Sequence, residues 1–229
     1  MRKQRLQAAG QEYLELEPDL PGPNLPLVLG LHGRGANAED LSGMASWLNP
    51  EGYRFVLPEG PLPIENAPWE TGYAWFALGQ QQAATVARSR ELLMALINEI
   101  EQRYATPRER MALVGFSQGA VMALEIGLRS PRPFAGVVAM SGFLYAPEML
   151  GPELRAGRDR RILLLHGTYD EVVTIDGARL ARDVLEAAGL EPEYHELPIG
   201  HQVSPDSLAF VRSFLERVLR RTPIPSPES

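Results

Sequence analysis

Residues 113–127 read LVGFSQGAVMALEIG and set one serine, Ser117, between Gly115 and Gly119. The run Met111-Ala112-Leu113-Val114 before it suits a buried strand, and the small residues after it suit a helix packed closely on a sheet. A sharp strand-to-helix turn strains its central residue, and neighbours without side chains remove the clashes such a turn creates. G-x-S-x-G is the spacing that lifts a serine hydroxyl above a sheet as a nucleophile. An ordinary glycine-rich join with a solvent-facing serine has the same spacing, so the chemistry depends on a base, an acid and an oxyanion site elsewhere in the chain.

A serine hydroxyl becomes a nucleophile when a neighbouring base takes its proton, and the chain has four histidines to supply one. His201, in PIGHQVSPDS, follows a strand ending near Leu197 and sits after Gly200 in a loop that can reach a serine. His32 precedes Ser117 and His166 precedes the acid, so neither fits the order nucleophile, acid, base. His195 falls within a strand, where an imidazole packs or faces solvent. Asp170, in HGTYDEVV, follows the strand RILLLHG and is the expected acid. Its rival Asp176 opens the helix TIDGARL, where a carboxylate stabilises the helix dipole. Ser117, Asp170 and His201 thus run in the chain order of the α/β hydrolases.

The oxyanion site is read in LGLHGRGANAED, residues 29–40, after another apolar strand. H-G-x-G gives a backbone able to aim an amide at a developing negative charge. The expected donors are the Arg34 N–H and the Gln118 N–H, the latter at the positive end of the helix after the nucleophile. A phosphate-binding reading fails: neither G-x-G-x-x-G nor the Walker pattern with its lysine appears, and the one lysine is Lys3.

The elements that must position these residues alternate strand and helix. EYLELEP alternates with period 2, and LPLVLGLHG is a continuous apolar strand followed by the helix NAEDLSGMASWL. YRFVLP reads as a strand and TVARSRELLMALINEIEQRY as a long helix. After the serine turn come strands FAGVVAM and RILLLHG, helix TIDGARLARDVLEAAG, strand EPEYHELP and a last helix from about Ser204 to Arg221. This alternation indicates a mainly parallel sheet covered by helices on both faces, in which ligands bind at the carboxyl ends of the strands. Residues 58–84 break the rhythm: they are proline-rich and hold two of the three tryptophans, with no sustained periodicity. A loop of this length is more often functional.

Composition bounds the rest. The 229 residues are 45% hydrophobic and 22% charged, which suits one globular domain over 1–221 with a disordered Pro/Ser tail over 222–229. A net charge of −7 argues against a nucleic-acid or anionic-membrane surface. The absence of cysteine removes disulfides, thiolate metal sites and thiol nucleophiles, and no metal site is expected. No signal peptide and no 18-residue apolar span are read, so the expected location is the cytoplasm.

LHGRGA, GFSQGA, MSGFL, HGTYDEVV and GHQVSP together resemble the phospholipase/carboxylesterase family of α/β hydrolases, which includes bacterial carboxylesterases and acyl-protein thioesterases. The resemblance runs from about Leu25 to Phe214. It implies an α/β-hydrolase fold without a large cap domain, and places the nucleophile on Ser117, the acid on Asp170, the base on His201 and the oxyanion donors on the amides of Arg34 and Gln118. GYAWF, residues 72–76, resembles the family segment beside the substrate cleft, so Trp69, Tyr73, Trp75 and Phe76 are candidate substrate contacts; such aromatics also fill small satellite cores. Ser141, in MSGFL, is given a structural role. A chain of this length leaves no room for a large cap, so the site is expected to be open, and the activity favoured is hydrolysis of small esters of short to medium acyl chain, with no metal or organic cofactor. Thioester or lysophospholipid hydrolysis is the alternative, and a hydrolase fold serving as a ligand receptor is the reading outside enzymology. A homodimer is expected, with the aromatic loop as a contact surface.

Overall fold

Leu27, Leu29 and Leu31 pack into one apolar cluster while Val28 packs into another, and Ile162/Leu164 and Leu163/Leu165 divide in the same way. Successive side chains of a strand point to opposite faces, so strands covered on both sides must be apolar at every position. Fully burying one leucine side chain contributes roughly 1.5–3 kcal/mol. These continuous runs are therefore the centre of the fold.

The computed structural model describes residues 1–19, 25–48, 52–67, 70–150 and 160–219. Its strands are β1 (Arg2–Ala8), β2 (Gln11–Glu17), β3 (Leu27–Leu31), β4 (Arg54–Pro58), β5 (Leu62–Ala67), β6 (Glu70–Ala74), β7 (Met111–Phe116), β8 (Gly136–Met140), β9 (Ile162–Gly167) and β10 (Glu193–Leu197). Its longer helices are α1 (Ala38–Leu48), α2 (Gln82–Arg103), α3 (Gln118–Arg129), α4 (Ile175–Ala187) and α5 (Pro205–Val218). Eight strands form one sheet in the order β1-β2-β4-β3-β7-β8-β9-β10. The β1/β2 and β2/β4 pairs are antiparallel, and every pair from β4 to β10 is parallel.

One face is covered by α2, α3 and α4, whose Leu93, Ile97, Val121, Leu124 and Leu185 share a cluster with the sheet. The other is covered by α1 and α5 through Leu41, Leu48, Val211 and Phe214. This is the α/β-hydrolase fold, a mainly parallel sheet between helical layers with no large cap among the described residues.

Two elements differ from the sequence expectation. β1 carries the polar run RKQRLQA at the sheet edge, where only Ala8 is buried, so no apolar period marks it. The turn that joins it to β2 is Ala9-Gly10, both at positive φ, a two-residue hairpin loop. The stretch 58–84 is not structureless: β5 and β6 form an antiparallel hairpin there, and α2 already begins at Gln82. Trp69 and the tail 222–229 lie outside the described residues.

Candidate active site

Ser117 stands between the end of β7 and the start of α3 with φ 54° and ψ −119°, a conformation that costs a non-glycine residue of order 1–3 kcal/mol. The surrounding structure fixes it there. Its N–H donates to the Met140 carbonyl at 2.9 Å, and its own carbonyl accepts the Ala120 N–H at 3.0 Å. The two glycines are required by close approach: a Cβ on Gly115 would lie 2.2 Å from the Gly119 carbonyl oxygen, and one on Gly119 would lie 2.0 Å from that of Leu31. Helix α3 is pressed against β3 and β7 so tightly that only backbone fits between them.

The residues expected as base and acid come from neighbouring loops at the same end of the sheet. Asp170 follows β9 and His201 follows β10, and the two loops are joined by Thr168 N–H to the Leu197 carbonyl at 2.7 Å and Tyr169 N–H to the Ile199 carbonyl at 3.0 Å. Past His201, Ser204 and Ser207 form a reciprocal capping box that opens α5, with Pro205 in its first turn. The loop is therefore held at both ends. His201 Nδ1 lies 2.7 Å from Asp170 Oδ2, and His201 Nε2 lies 3.0 Å from Ser117 Oγ. The Phe116 ring packs on the imidazole with centroids 4.9 Å apart.

Asp170 is buried, which works to raise its pKa. The hydrogen bond from His201 and donations from the Val173 and Val172 N–H groups to Oδ1, at 2.9 and 3.0 Å, outweigh that and hold the carboxyl below its ordinary value. It stands as an anion with its acceptor oxygens engaged.

The two backbone N–H groups expected as oxyanion donors belong to turns beside Ser117. Gln118 opens α3, so it has no carbonyl one turn earlier to bond. Arg34 is the first central residue of a turn closed by Ala36 N–H to the Gly33 carbonyl at 3.2 Å, with Gly35 at φ 82° as the second. That is the arrangement that needs glycine and leaves the Arg34 N–H without an acceptor inside the turn. The turn lies against Ser117, since a Cβ on Gly33 would sit 3.5 Å from the Ser117 Cβ. The Arg34 side chain is exposed.

The aromatic segment plays a different part from the one expected. Trp75 and Phe76 are 0% and 1% exposed and belong to the core, so their rings offer no surface to a ligand; Tyr73 is half-buried. The segment instead straps the 32–36 loop to Gln118. Tyr73 exchanges backbone hydrogen bonds with Gly35 and Ala36, both at 2.8 Å, and the Trp75 indole donates to the His32 carbonyl at 2.8 Å. The Gln118 side chain accepts the Trp75 N–H at 3.0 Å and donates to the Phe76 carbonyl at 2.9 Å.

The other predicted or rejected positions fall as follows. His32 is buried beneath the Arg34 turn and accepts the Gly60 N–H on Nε2 at 3.0 Å; burial lowers its pKa more than the Gly33 carbonyl and Glu59 raise it. His195 stacks on Phe210 with centroids 4.0 Å apart. Asp176 lies in the first turn of α4. Ser141, at φ 51°, donates its N–H to the Leu165 carbonyl. Sequence reasoning missed the side-chain role of Gln118 and the strap; H-G-x-G and G-x-S-x-G mark the two loops but not what joins them.

The sequence profile of the family described as phospholipase/carboxylesterase matches residues 21–219. The chain belongs to the phospholipase/carboxylesterase family. Among its relatives in that family, acyl-protein thioesterase 1 homolog 1 of Dictyostelium discoideum is 26% identical over 219 residues, covering 90% of this chain and 95% of its own. The crystal structure of esterase PE8 superposes with a TM-score of 0.78 at 30% identity, over 90% of this chain and 97% of that one. A carboxylesterase from Mesorhizobium loti shares the fold with a TM-score of 0.78 at 20% identity, over 94% and 99% of the two chains. The protein is accordingly a serine hydrolase of the phospholipase/carboxylesterase family. No helix among the described residues is long and apolar enough to cross a membrane.

Proposed function

We propose that the protein is a carboxylesterase that hydrolyses small esters of short to medium acyl chain through an acyl-enzyme, with Ser117 as nucleophile, His201 as base and Asp170 as acid. The observation that carries this is the hydrogen-bonded line from Ser117 Oγ through His201 to Asp170. His201 Nε2 takes the hydroxyl proton as Ser117 Oγ attacks the ester carbonyl. Asp170 fixes the tautomer and stabilises the imidazolium without taking the proton. The N–H groups of Arg34 and Gln118 hold the tetrahedral oxyanion, which removing one such donor elsewhere shows to be worth about 10²–10³ in kcat. His201 then protonates the departing alcohol, and water repeats the sequence on the acyl-enzyme.

The short-to-medium acyl range is supported by the absence of a large cap and by apolar side chains at the rim: Tyr169 and Val172 beside Asp170 are 69% and 72% exposed, and Val203 lies two residues past His201. A thioester is the second reading, favoured by relatives named acyl-protein thioesterases. Nitrophenyl esters of increasing acyl length, assayed beside an acyl thioester, separate the two. Ser117→Ala and His201→Ala are each expected to lose on the order of 10⁶ in kcat, and Asp170→Ala less. A Ser117→Ala protein that keeps a tenth of the activity overturns the assignment, and a wild type inert on every ester and thioester returns the ligand-receptor reading.

The same rim is the surface proposed for a homodimer, since the buried Trp75 and Phe76 cannot supply one. Sedimentation showing only the 25.3 kDa species at micromolar concentration removes it.

A further inference from the structure

His201 is the proposed base, His32 anchors the Arg34 turn and His195 packs on α5, but His166 has no part in that scheme. It is the next-to-last residue of β9, four before Asp170, and its side chain is wholly buried. Nε2 lies 2.8 Å from the Val173 carbonyl oxygen and 3.5 Å from Asp170 Oδ2, the same oxygen that holds His201 Nδ1 at 2.7 Å. A carbonyl oxygen only accepts, so the hydrogen of this ring is on Nε2. Nδ1 is buried with no hydrogen-bond partner among the described residues. The single N–H of a buried imidazole is thus aimed between the turn that holds the acid and the acid itself.

We propose that His166 is a positioning residue for the reaction, a fourth member of the line Ser117, His201, Asp170, acting through the carboxylate whose Oδ2 also holds the base. The inference rests on the triad assigned above. Its hydrogen bond to the Val173 carbonyl fixes the 170–173 turn, whose Val172 and Val173 N–H groups hold Asp170 Oδ1. With Oδ1 held, Oδ2 is left for His201, with the His166 N–H beside it. At 3.5 Å from Oδ2 the His166 N–H is too far for a full hydrogen bond, yet in a buried site its dipole still lowers the basicity of the carboxylate. The titratable groups around it are Asp170 and His201 from the two loops and Glu196, its register partner on β10, which is taken up by Arg179 and Tyr194.

A residue that only fills space at the end of β9 has no need of its N–H. Removing the N–H while keeping the volume frees the turn and leaves the carboxylate a stronger base. A more basic carboxylate holds the proton on His201 more tightly, so the acid limb of the rate profile moves to higher pH.

The test uses the full-length chain, nitrophenyl butyrate and pH 5 to 9, with His166→Leu, which removes the donor, and His166→Gln, whose amide reaches the Val173 carbonyl. His166→Leu is expected to lower kcat about tenfold to a hundredfold, the range seen when a supporting partner of a functional histidine is lost, with KM within about twofold. Its acid limb is expected to rise by about half a pH unit, and His166→Gln to restore both. If the two variants share the wild-type limb and the same kcat, the imidazole is packing alone and the proposal is overturned. Where His166→Leu does not fold, His166→Asn, too short to reach the carbonyl, replaces it, and an Asn variant equal to the Gln variant overturns the proposal. Ser117→Ala run alongside separates the two levels: activity surviving there overturns the triad, whereas an inactive Ser117→Ala with indistinguishable His166 variants overturns this inference only.

Discussion

The Gln118 side chain closes on the backbone of Trp75, with Oε1 accepting the Trp75 N–H at 3.0 Å, while the Trp75 indole donates to the His32 carbonyl at 2.8 Å. The residue after the nucleophile is thereby tied, through one buried tryptophan, to the loop that carries Arg34. Ser89 adds a third hold by donating its hydroxyl to the Trp75 carbonyl. The two N–H groups proposed for the oxyanion hang on one strap, so their spacing is set by the hydrogen bonds of residues 73–76. Gln118→Met keeps the backbone N–H and the volume but leaves the Trp75 N–H and the Phe76 carbonyl unpaired in the core. The expected result is a loss of about 1–3 kcal/mol in urea unfolding and a fall in kcat on the order of tenfold with KM little changed. An unchanged kcat in the folded variant would show that the strap does not set the donors.

Ser117 itself is strained. At φ 54° and ψ −119° it occupies backbone space that glycine enters freely. Ser117→Gly is expected to raise the unfolding free energy by about 1 kcal/mol, part of the relieved strain being offset by the extra freedom of glycine in the unfolded chain. Ser117→Ala, which keeps the strain, is expected to show no such gain, and neither variant to hydrolyse esters. Calorimetry on the three proteins checks this, and a Ser117→Gly protein less stable than Ser117→Ala contradicts it.

Helix glycines separate into two kinds by what surrounds them. Gly119 in α3 has no room for a Cβ, which would meet the Leu31 carbonyl oxygen at 2.0 Å, whereas Gly43 in α1 is exposed with nothing within 4 Å. Gly119→Ala must push α3 off β3 and is expected to cost roughly 2–4 kcal/mol and to abolish activity with it. Gly43→Ala is expected to gain about 0.5–1 kcal/mol, since alanine has the lower entropic cost in a helix, and to leave kcat unchanged. Urea midpoints for the pair decide, and equal shifts of one sign refute the distinction.

Much of this was legible before any coordinates. The central strands declare themselves because burial on both faces leaves Leu27–Leu31 and Ile162–Leu165 no polar position, and the nucleophile turn because Gly115 and Gly119 face backbone atoms. The β1 strand was not legible, since an edge strand exposed at nearly every position has no apolar signature. Nor was the β5/β6 hairpin, whose pairing with Ala36 is a long-range backbone contact that no local pattern encodes. The aromatics of GYAWF stand out in the sequence, but aromatic rings beside a cleft and aromatic rings beneath it read alike; only their burial places Trp75 and Phe76 in the core.

His32 makes stability depend on pH in a window of its own. Buried under the Arg34 turn, it is held below the ordinary histidine pKa of 6.5 because burial outweighs the Gly33 carbonyl and the carboxylates of Glu59 and Asp40. In the unfolded chain it titrates near 6.5, so below that pH the unfolded state binds more protons than the folded state and stability must fall. The loss begins as pH drops through about 6.5 and continues down to the lower folded value, with a slope of at most about 1.4 kcal/mol per pH unit for one proton. Asp170 acts in the same direction but later: its folded pKa is depressed, so its contribution is present above the ordinary carboxylate range and is lost as pH falls through the lower folded value. His32→Gln separates the two, because its Oε1 can accept the Gly60 N–H that His32 Nε2 accepts at 3.0 Å and does not titrate. Urea unfolding of both proteins from pH 7.5 to 5 is expected to show a decline in the wild type and a flatter line in His32→Gln, and parallel lines would place the acid sensitivity elsewhere.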